Sequence, residues 1–338
     1  MPKKVLITGI TGQDGSYLAE LLLKKGYEVH GIVRRTSSIE RTRLMHLSAY
    51  KDVEPARLIL HYGELADAGN LIHILYQVQP DEIYNLAGQS SVRVSFEMPE
   101  YTSESNGLAV VRLLEAIVRS GQATKTRFYQ ASSSEMFGRV EQLPITEATP
   151  FSPKSPYAAA KVFAHNMVNY YREAYGLHAC CGILFNHESP QRGESFVTRK
   201  ITRAVGRIKH GLQAKLKLGD LTPKRDWGYA PEYVEGMWHI LQAEKAEDYV
   251  IATNESHSVR EFVQEAFAYA GLDWMKYVEH DQRQVRTMEL DEVRGSPEKI
   301  RTNLGWAPQV KFKELIRIMI NHDLKLAAVE AAERASSL

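Results

Sequence analysis

The chain has 338 residues, 44% of them apolar and 25% charged, an ordinary globular composition whose length suggests about two domains. Forty-two lysines and arginines against 41 aspartates and glutamates leave a formal charge of +1, so no global field favours nucleic acid or an anionic membrane. These values exclude a disordered tail, a collagen-like fibre and a disulfide-framed miniprotein, and no apolar run approaches the roughly 20 residues of a membrane span.

Lys4–Thr8 is a short β-branched run ending at Gly9, and Ser16–Lys25 follows with helical apolar spacing. Glu28–Val33 predicts a second strand, closed by Arg34-Arg35; Arg57–His61 predicts a third, Ala68–Val78 a helix and Asp81–Leu86 another strand. One long helix is expected from Thr102 to Arg119, then a strand at Arg127–Ala131, a helix at Tyr157–Tyr175 and a strand at His178–Leu184. Strands alternating with helices of this length argue for the α/β class, as a Rossmann-type doubly wound parallel sheet with right-handed crossovers.

After residue 186 the texture changes. Phe196–His210 reads as a basic helix, Lys217–Trp227 as a charged strand and loop, Tyr249–Thr253 as a strand, and Val259–Ala270 and Lys313–Ala328 as helices. No repeat or Gly/Ser linker marks a boundary, so a smaller C-terminal domain is expected to interleave with the first. Residues 1–186, rejoined by 226–256, would form the sheet domain, and 187–225 with 257–338 mainly the second. Met1-Pro2-Lys3-Lys4 is followed by an apolar stretch that stops at Gly12-Gln13-Asp14, too short for a signal h-region. Cys180 and Cys181 are neighbours, which pair only with strain, so both are expected reduced in a cytoplasmic protein.

Gly9-Ile10-Thr11-Gly12-Gln13-Asp14-Gly15 lies directly between a strand and a helix. Glycines there permit a tight turn and close approach of backbone to a pyrophosphate, which the helix N-terminus then receives. The alternative is an ordinary glycine-rich turn; the strand–loop–helix context favours a dinucleotide. About 20 residues on, an NAD enzyme places an acid on the ribose hydroxyls, whereas this chain has Arg34-Arg35-Thr36-Ser37-Ser38. Two arginines and small hydroxyls suit a 2′-phosphate, so NADP is the expected cofactor.

Tyr157 and Lys161 stand four apart, one above the other on a helix face. A nearby ammonium favours the phenolate, so Lys161 is expected to lower the tyrosine's pKa and make it a general acid/base for a hydroxyl proton. Alone the pair also fits a solvated helix face. What sharpens it is Ser132-Ser133-Ser134 at a strand C-terminal end upstream, where doubly wound sheets bind ligands. Ser133 would bond the substrate oxygen that Tyr157 deprotonates. Glu135 follows at once; beside a carbon acidified by a new ketone it would remove a proton, and otherwise it complements a helix dipole.

These strings resemble the extended short-chain dehydrogenase/reductase superfamily and, within it, the GDP-mannose 4,6-dehydratases. The resemblance covers nearly the whole chain. It rests on GITGQDGSYLAELLLKKGYEVHGIVRRTSS, FYQASSSEMFG, SPYAAAK, GILFNHESPQRGESFVTRKITRA, KRDWGYAPEYVEGMW and DYVIAT. It implies that Gly9, Thr11, Gly12, Gln13, Asp14 and Gly15 hold the pyrophosphate and Arg34 the 2′-phosphate. Arg35, Ser37 and Ser38 would belong to a loop reaching the cofactor site of a neighbouring subunit, hence a homo-oligomer, dimer or tetramer. Glu64 and Leu65 would lie near the adenine; Leu86, Ala87, Gly88, Gln89, Ser90, Tyr101, Lys161, His187 and Arg192 would also line the cofactor. Ser133, Glu135 and Tyr157, with Lys161, match the catalytic group. Ser90, Glu135, Asn186, Thr198, Lys200, Arg203 and Arg225 would face a GDP-sugar.

The stretch Gln284-Val285-Arg286-Thr287-Met288-Glu289 keeps Arg286 and Glu289 as implied substrate contacts but lacks the family's aromatic and proline. Glu292-Val293-Arg294-Gly295-Ser296 also departs from the family's pattern. The same chemistry on another GDP-sugar, such as a GDP-heptose, is therefore one alternative. A 4-epimerase, which needs no Glu135, is a second, and a non-catalytic NADPH-binding protein a third. The basic run Arg199, Lys200, Arg203, Arg207 and Lys209 suits a diphosphate better than a nucleic-acid backbone in so neutral a chain. His187-Glu188 lacks a second histidine at ligand spacing, so no metal is expected.

Overall fold

A computed structural model describes residues 2–35, 42–50, 57–284 and 290–336. The first half runs β1 (Lys4–Thr8), α1 (Gln13–Lys24), β2 (Glu28–Val33), β3 (Leu58–Tyr62), α2 (Ala68–Val78), β4 (Glu82–Asn85), α3 (Val92–Glu97), α4 (Pro99–Ser103), α5 (Ala109–Arg119), β5 (Arg127–Ser133), α6 (Pro156–Tyr175) and β6 (Ala179–Leu184). The second runs β7 (Asn186–Glu188), α7 (Val197–Lys209), β8 (Leu216–Leu218), β9 (Lys224–Arg225), β10 (Trp227–Tyr229), α8 (Ala230–Gln242), β11 (Tyr249–Ile251), β12 (His257–Ser258), α9 (Val259–Tyr269), β13 (Val278–His280), β14 (Glu292–Val293), α10 (Glu298–Leu304) and α11 (Phe312–Ser336).

Seven parallel strands form one sheet in the order β11-β6-β5-β4-β1-β2-β3. Helices cover both faces, so its strands read as near-continuous apolar runs. Leu18 and Leu22 of α1 with Met237 and Ile240 of α8 bury one face. Leu71 and Ile74 of α2, Leu113 and Ile117 of α5 and Val168 of α6 bury the other. Each such side chain contributes about 1.5–3 kcal/mol. The strand order reverses between β1 and β4, which opens a crevice at their C-terminal ends. A third core gathers Ile201 and Val205 of α7, Phe262 and Phe267 of α9, and Ile316 and Met319 of α11 around Trp227. Cys180 and Cys181 are buried and unpaired. Among the described residues no helix is long and apolar enough to cross a membrane.

Several elements differ from the periodicity reading, and three of them bear on the site or its support. The expected Thr102–Arg119 helix is two helices, α4 and α5, joined by one wide turn over Glu104–Leu108. Within that turn Asn106 accepts from Gln89 N and donates to Gln89 O, both at 2.8 Å, so the irregularity positions the loop after β4, as such wide turns often do at functional sites. Helix α8, like the short α3 and α10, has no counterpart in the pattern reading. Helix α11 continues past Ala328 to Ser336, where Glu330 meets arginines of α7.

Candidate active site

The glycine loop is built for close backbone approach. Gly9 has φ +72°, and a Cβ there would lie 2.8 Å from Ala87 N. A Cβ on Gly15 would lie 2.3 Å from Gly9 O. Helix α1 follows with Gly12 at its N-cap and no side chain capping it, which leaves first-turn amides for an anion. The donor set therefore fits a dinucleotide pyrophosphate. Beneath the loop, His187 Nε2 lies 2.8 Å from Asp14 Oδ2 and its Nδ1 2.7 Å from Phe185 O. Burial pushes the Asp14 carboxyl up, but His187 and the Gln13 amide outweigh it and hold it below its usual range. Burial likewise lowers His187, and Asp14 outweighs it to raise the imidazole above its ordinary value.

A cavity of about 400 Å³ opens over this loop. Its wall brings together Gly9, Thr11, Gly12, Gln13, Asp14, Gly15, Arg34, Glu64, Leu65, Leu86, Ala87, Gly88, Ser90, Tyr101 and Arg192. Arg34 Nη1 donates to Tyr101 Oη at 3.2 Å, which points the guanidinium across the crevice from the end of β2. Arg35 is exposed and off this wall. Gln89 is also off it, because its amide closes on Ser91 N (2.6 Å) and Ser91 O (2.8 Å). Ser37 and Ser38 lie outside the described residues. Sequence reasoning missed Arg43, which lines the cavity and donates to Thr11 O at 3.2 Å and Gln191 O at 2.9 Å; no strand or glycine signal flags it.

A second cavity of about 700 Å³ shares Asp14, Leu86, Ser90, Arg192 and Phe196 with the first. Ser133, Glu135, Tyr157, Lys161 and His187 line it. Ser155 caps α6 by accepting from Ala158 N at 3.1 Å, with Pro156 at the first helical position, so Tyr157 falls in the first turn and Lys161 one turn on. Ser133 ends β5; its hydroxyl accepts from Glu135 N at 3.2 Å and stands near enough to Tyr157 to favour the phenolate. Lys161 Nζ donates to Ala131 O at 2.8 Å.

The expected lowering of the Tyr157 pKa is corrected here. Desolvation, reinforced by the Glu135 carboxylate and only partly offset by Ser133, pushes the phenol up to about 12. Burial meanwhile lowers Lys161 to about 8, against the pull of Cys181 and Asp14. Burial of the phenol outweighs the favourable charges around it.

Asn186, Thr198, Lys200 and Arg225 line the same cavity. Arg225 Nη1 donates to Lys224 O and Leu290 O, both at 2.8 Å. Lys200 donates to Lys217 O at 2.7 Å, and burial, with Arg93 adding and Asp281 opposing, lowers its pKa. Arg93 on α3 also lines the cavity and was not anticipated from sequence. Arg203, expected at the substrate, is off the cavity wall: it is 2% exposed and bound to Glu194 at 2.9 Å and to Glu330. Packing of α7 on α11 turns it inward. Arg286 and Glu289 lie outside the described residues.

The family model described as GDP-mannose 4,6 dehydratase matches residues 6–319. The chain is 55% identical to GDP-mannose 4,6 dehydratase 1 of Arabidopsis thaliana over 97% of this chain and 92% of that one. Among solved structures it is similar to DesIV, a dTDP-glucose 4,6-dehydratase from Streptomyces venezuelae with NAD and TYD bound, at 25% identity and a TM-score of 0.84, covering 96% of this chain and 98% of that one. It is also similar to the UDP-glucose 4-epimerase of Thermus thermophilus in complex with NAD, at 28% identity and a TM-score of 0.79, covering 95% and 98%. The chain therefore belongs to the GDP-mannose 4,6-dehydratase family.

Proposed function

We propose that this protein converts GDP-mannose to GDP-4-keto-6-deoxymannose and water. The observation that carries it is the placement of one carboxylate, Glu135, beside the Ser133–Tyr157 pair on the wall of a cavity continuous with the glycine-loop cavity. A dinucleotide held by the glycine loop and Arg34 would supply a hydride acceptor for C4 and a hydride donor for C6, with no net redox change. Tyr157 takes the C4 hydroxyl proton and gives a proton to C5 as hydride reaches C6, so C4 stays a ketone. Glu135 takes the C5 proton, acidified by the ketone, and delivers a proton to the departing C6 hydroxyl. With one carboxylate there, Glu135 serves as base and then as acid.

NADP is the cofactor in this reading. Arg34, with no acid at the end of β2, favours a 2′-phosphate. Residues 1–186, rejoined by 226–256, would hold it together with Arg192, and 187–225 with 257–338 would mainly face the GDP-sugar. Exposed Phe96, Met98, Leu108, Phe163 and Tyr170 support burial against a second copy, in a cytoplasmic homodimer or tetramer.

The test is incubation with GDP-mannose and no added reductant. A product lighter by one water, without accumulation of reduced cofactor, supports the reading. The departure at Gln284–Met288 favours one second reading, the same elimination on another GDP-sugar. Water loss only with that sugar in a panel would select it.

A further inference from the structure

One chain of polar groups outside the catalytic set runs from the cavity wall toward the edge of the sheet. Ser132 Oγ lies 3.0 Å from His165 Nδ1, and His165 Nε2 lies 3.4 Å from Asp248 Oδ2. Asp248 Oδ1 accepts from Cys181 N at 2.9 Å and from Arg172. Ser132 is 3% and His165 4% exposed, and Phe151 packs edge-on against the imidazole at 5.1 Å. A carboxylate facing Nε2 places the proton there, so Nδ1 receives the Ser132 hydroxyl proton. The side chains of His165, Cys181 and Asp248 lie close enough to hold a cation, but Arg172, the Cys181 amide and the imidazole already occupy the carboxylate.

The place of His165 gives the chain its meaning. It stands one turn beyond Lys161, itself one turn beyond Tyr157, so the three share a face of α6. Each faces the end of β5. Lys161 takes the Ala131 carbonyl and His165 the Ser132 hydroxyl, while Tyr157 and Ser133 share the wall of the second cavity. We propose that His165 is a positioning residue: by holding Ser132 it fixes the end of β5 against α6, so that Ser133 and Ala131 present their oxygens to Tyr157 and Lys161. This rests on the catalytic reading above. Asp248 in turn orients His165 from the segment leading into β11, while Arg172 and Cys181 complete the surroundings.

The test uses Ser132→Ala, His165→Gln and His165→Asn in the full chain. Asparagine keeps an acceptor where Nδ1 stood, and glutamine does not. Expected is a fall in kcat of about tenfold in S132A and H165Q with KM for GDP-mannose unchanged, and near wild-type kcat in H165N. The double variant S132A/H165Q should lose no more than the worse single. Multiplying losses, a KM rising in step with the fall in kcat, or S132A within about twofold of wild type would overturn the proposal. A second readout needs no turnover. The ring ζ-carbon resonance of labelled Tyr157 should move in S132A and H165Q and stay in H165N, and an unmoved resonance in S132A overturns the positioning role. A wild-type chain that fails to dehydrate GDP-mannose overturns the proposed function instead, and the resonance still decides this inference.

Discussion

Asp14 and His187, 173 residues apart, share a 2.8 Å hydrogen bond directly under the glycine loop. The pair ties the first turn of α1 to β7 and so fixes the floor between the two cavities. Its stabilisation has a defined pH window. His187 is raised above 6.5 in the folded state, so its contribution is full below that value and is lost as pH rises through the raised pKa. Asp14 is held below 3.8, so its contribution is present above that value and lost as pH falls through the lowered one. His187→Gln should therefore cost about 1–3 kcal/mol near pH 5.5 and clearly less near pH 9, read by urea unfolding. An equal cost at both values would show that the pair is not ionised.

Glu135→Gln removes the group assigned to both proton steps of the elimination. Water loss should fall by about 10²–10⁴-fold, while calorimetry finds GDP-mannose binding within about threefold of wild type. A variant that dehydrates within tenfold of wild type would refute the assignment of Glu135 to these steps.

Arg34→Ala tests the cofactor. Loss of one charge-assisted contact should weaken NADP binding by about 1.5–3 kcal/mol and leave NAD binding nearly unchanged. Titration of the purified protein with each nucleotide reads both. Equal weakening would place the guanidinium on a group that the two share.

Arg203→Ala is expected to act on stability and not on substrate binding. Its partners are Glu194 and Glu330, the first of them half-exposed, so the cost should be about 2–4 kcal/mol, under that of a fully buried pair. KM for GDP-mannose should stay within about threefold. A large rise in KM with unchanged unfolding would return Arg203 to the substrate.

The sequence by itself determined the sheet, and most of the residues it singles out line the two cavities. β1, β2 and α2 begin and end where their local patterns do, at Lys4–Thr8, Glu28–Val33 and Ala68–Val78. A strand buried on both faces writes its bounds as an apolar run, and a glycine demanded by φ +72° and a 2.8 Å approach to Ala87 writes its position as a motif. Tertiary structure alone decided which charges meet. Arg203 finds Glu330 127 residues away, and His165 finds Asp248, because α7 packs on α11 and the segment before β11 passes α6. The Tyr157 pKa is the same lesson. A lysine one turn along the helix promises a phenolate, but desolvation and the Glu135 carboxylate nearby are properties of the packed wall and leave no periodicity to read.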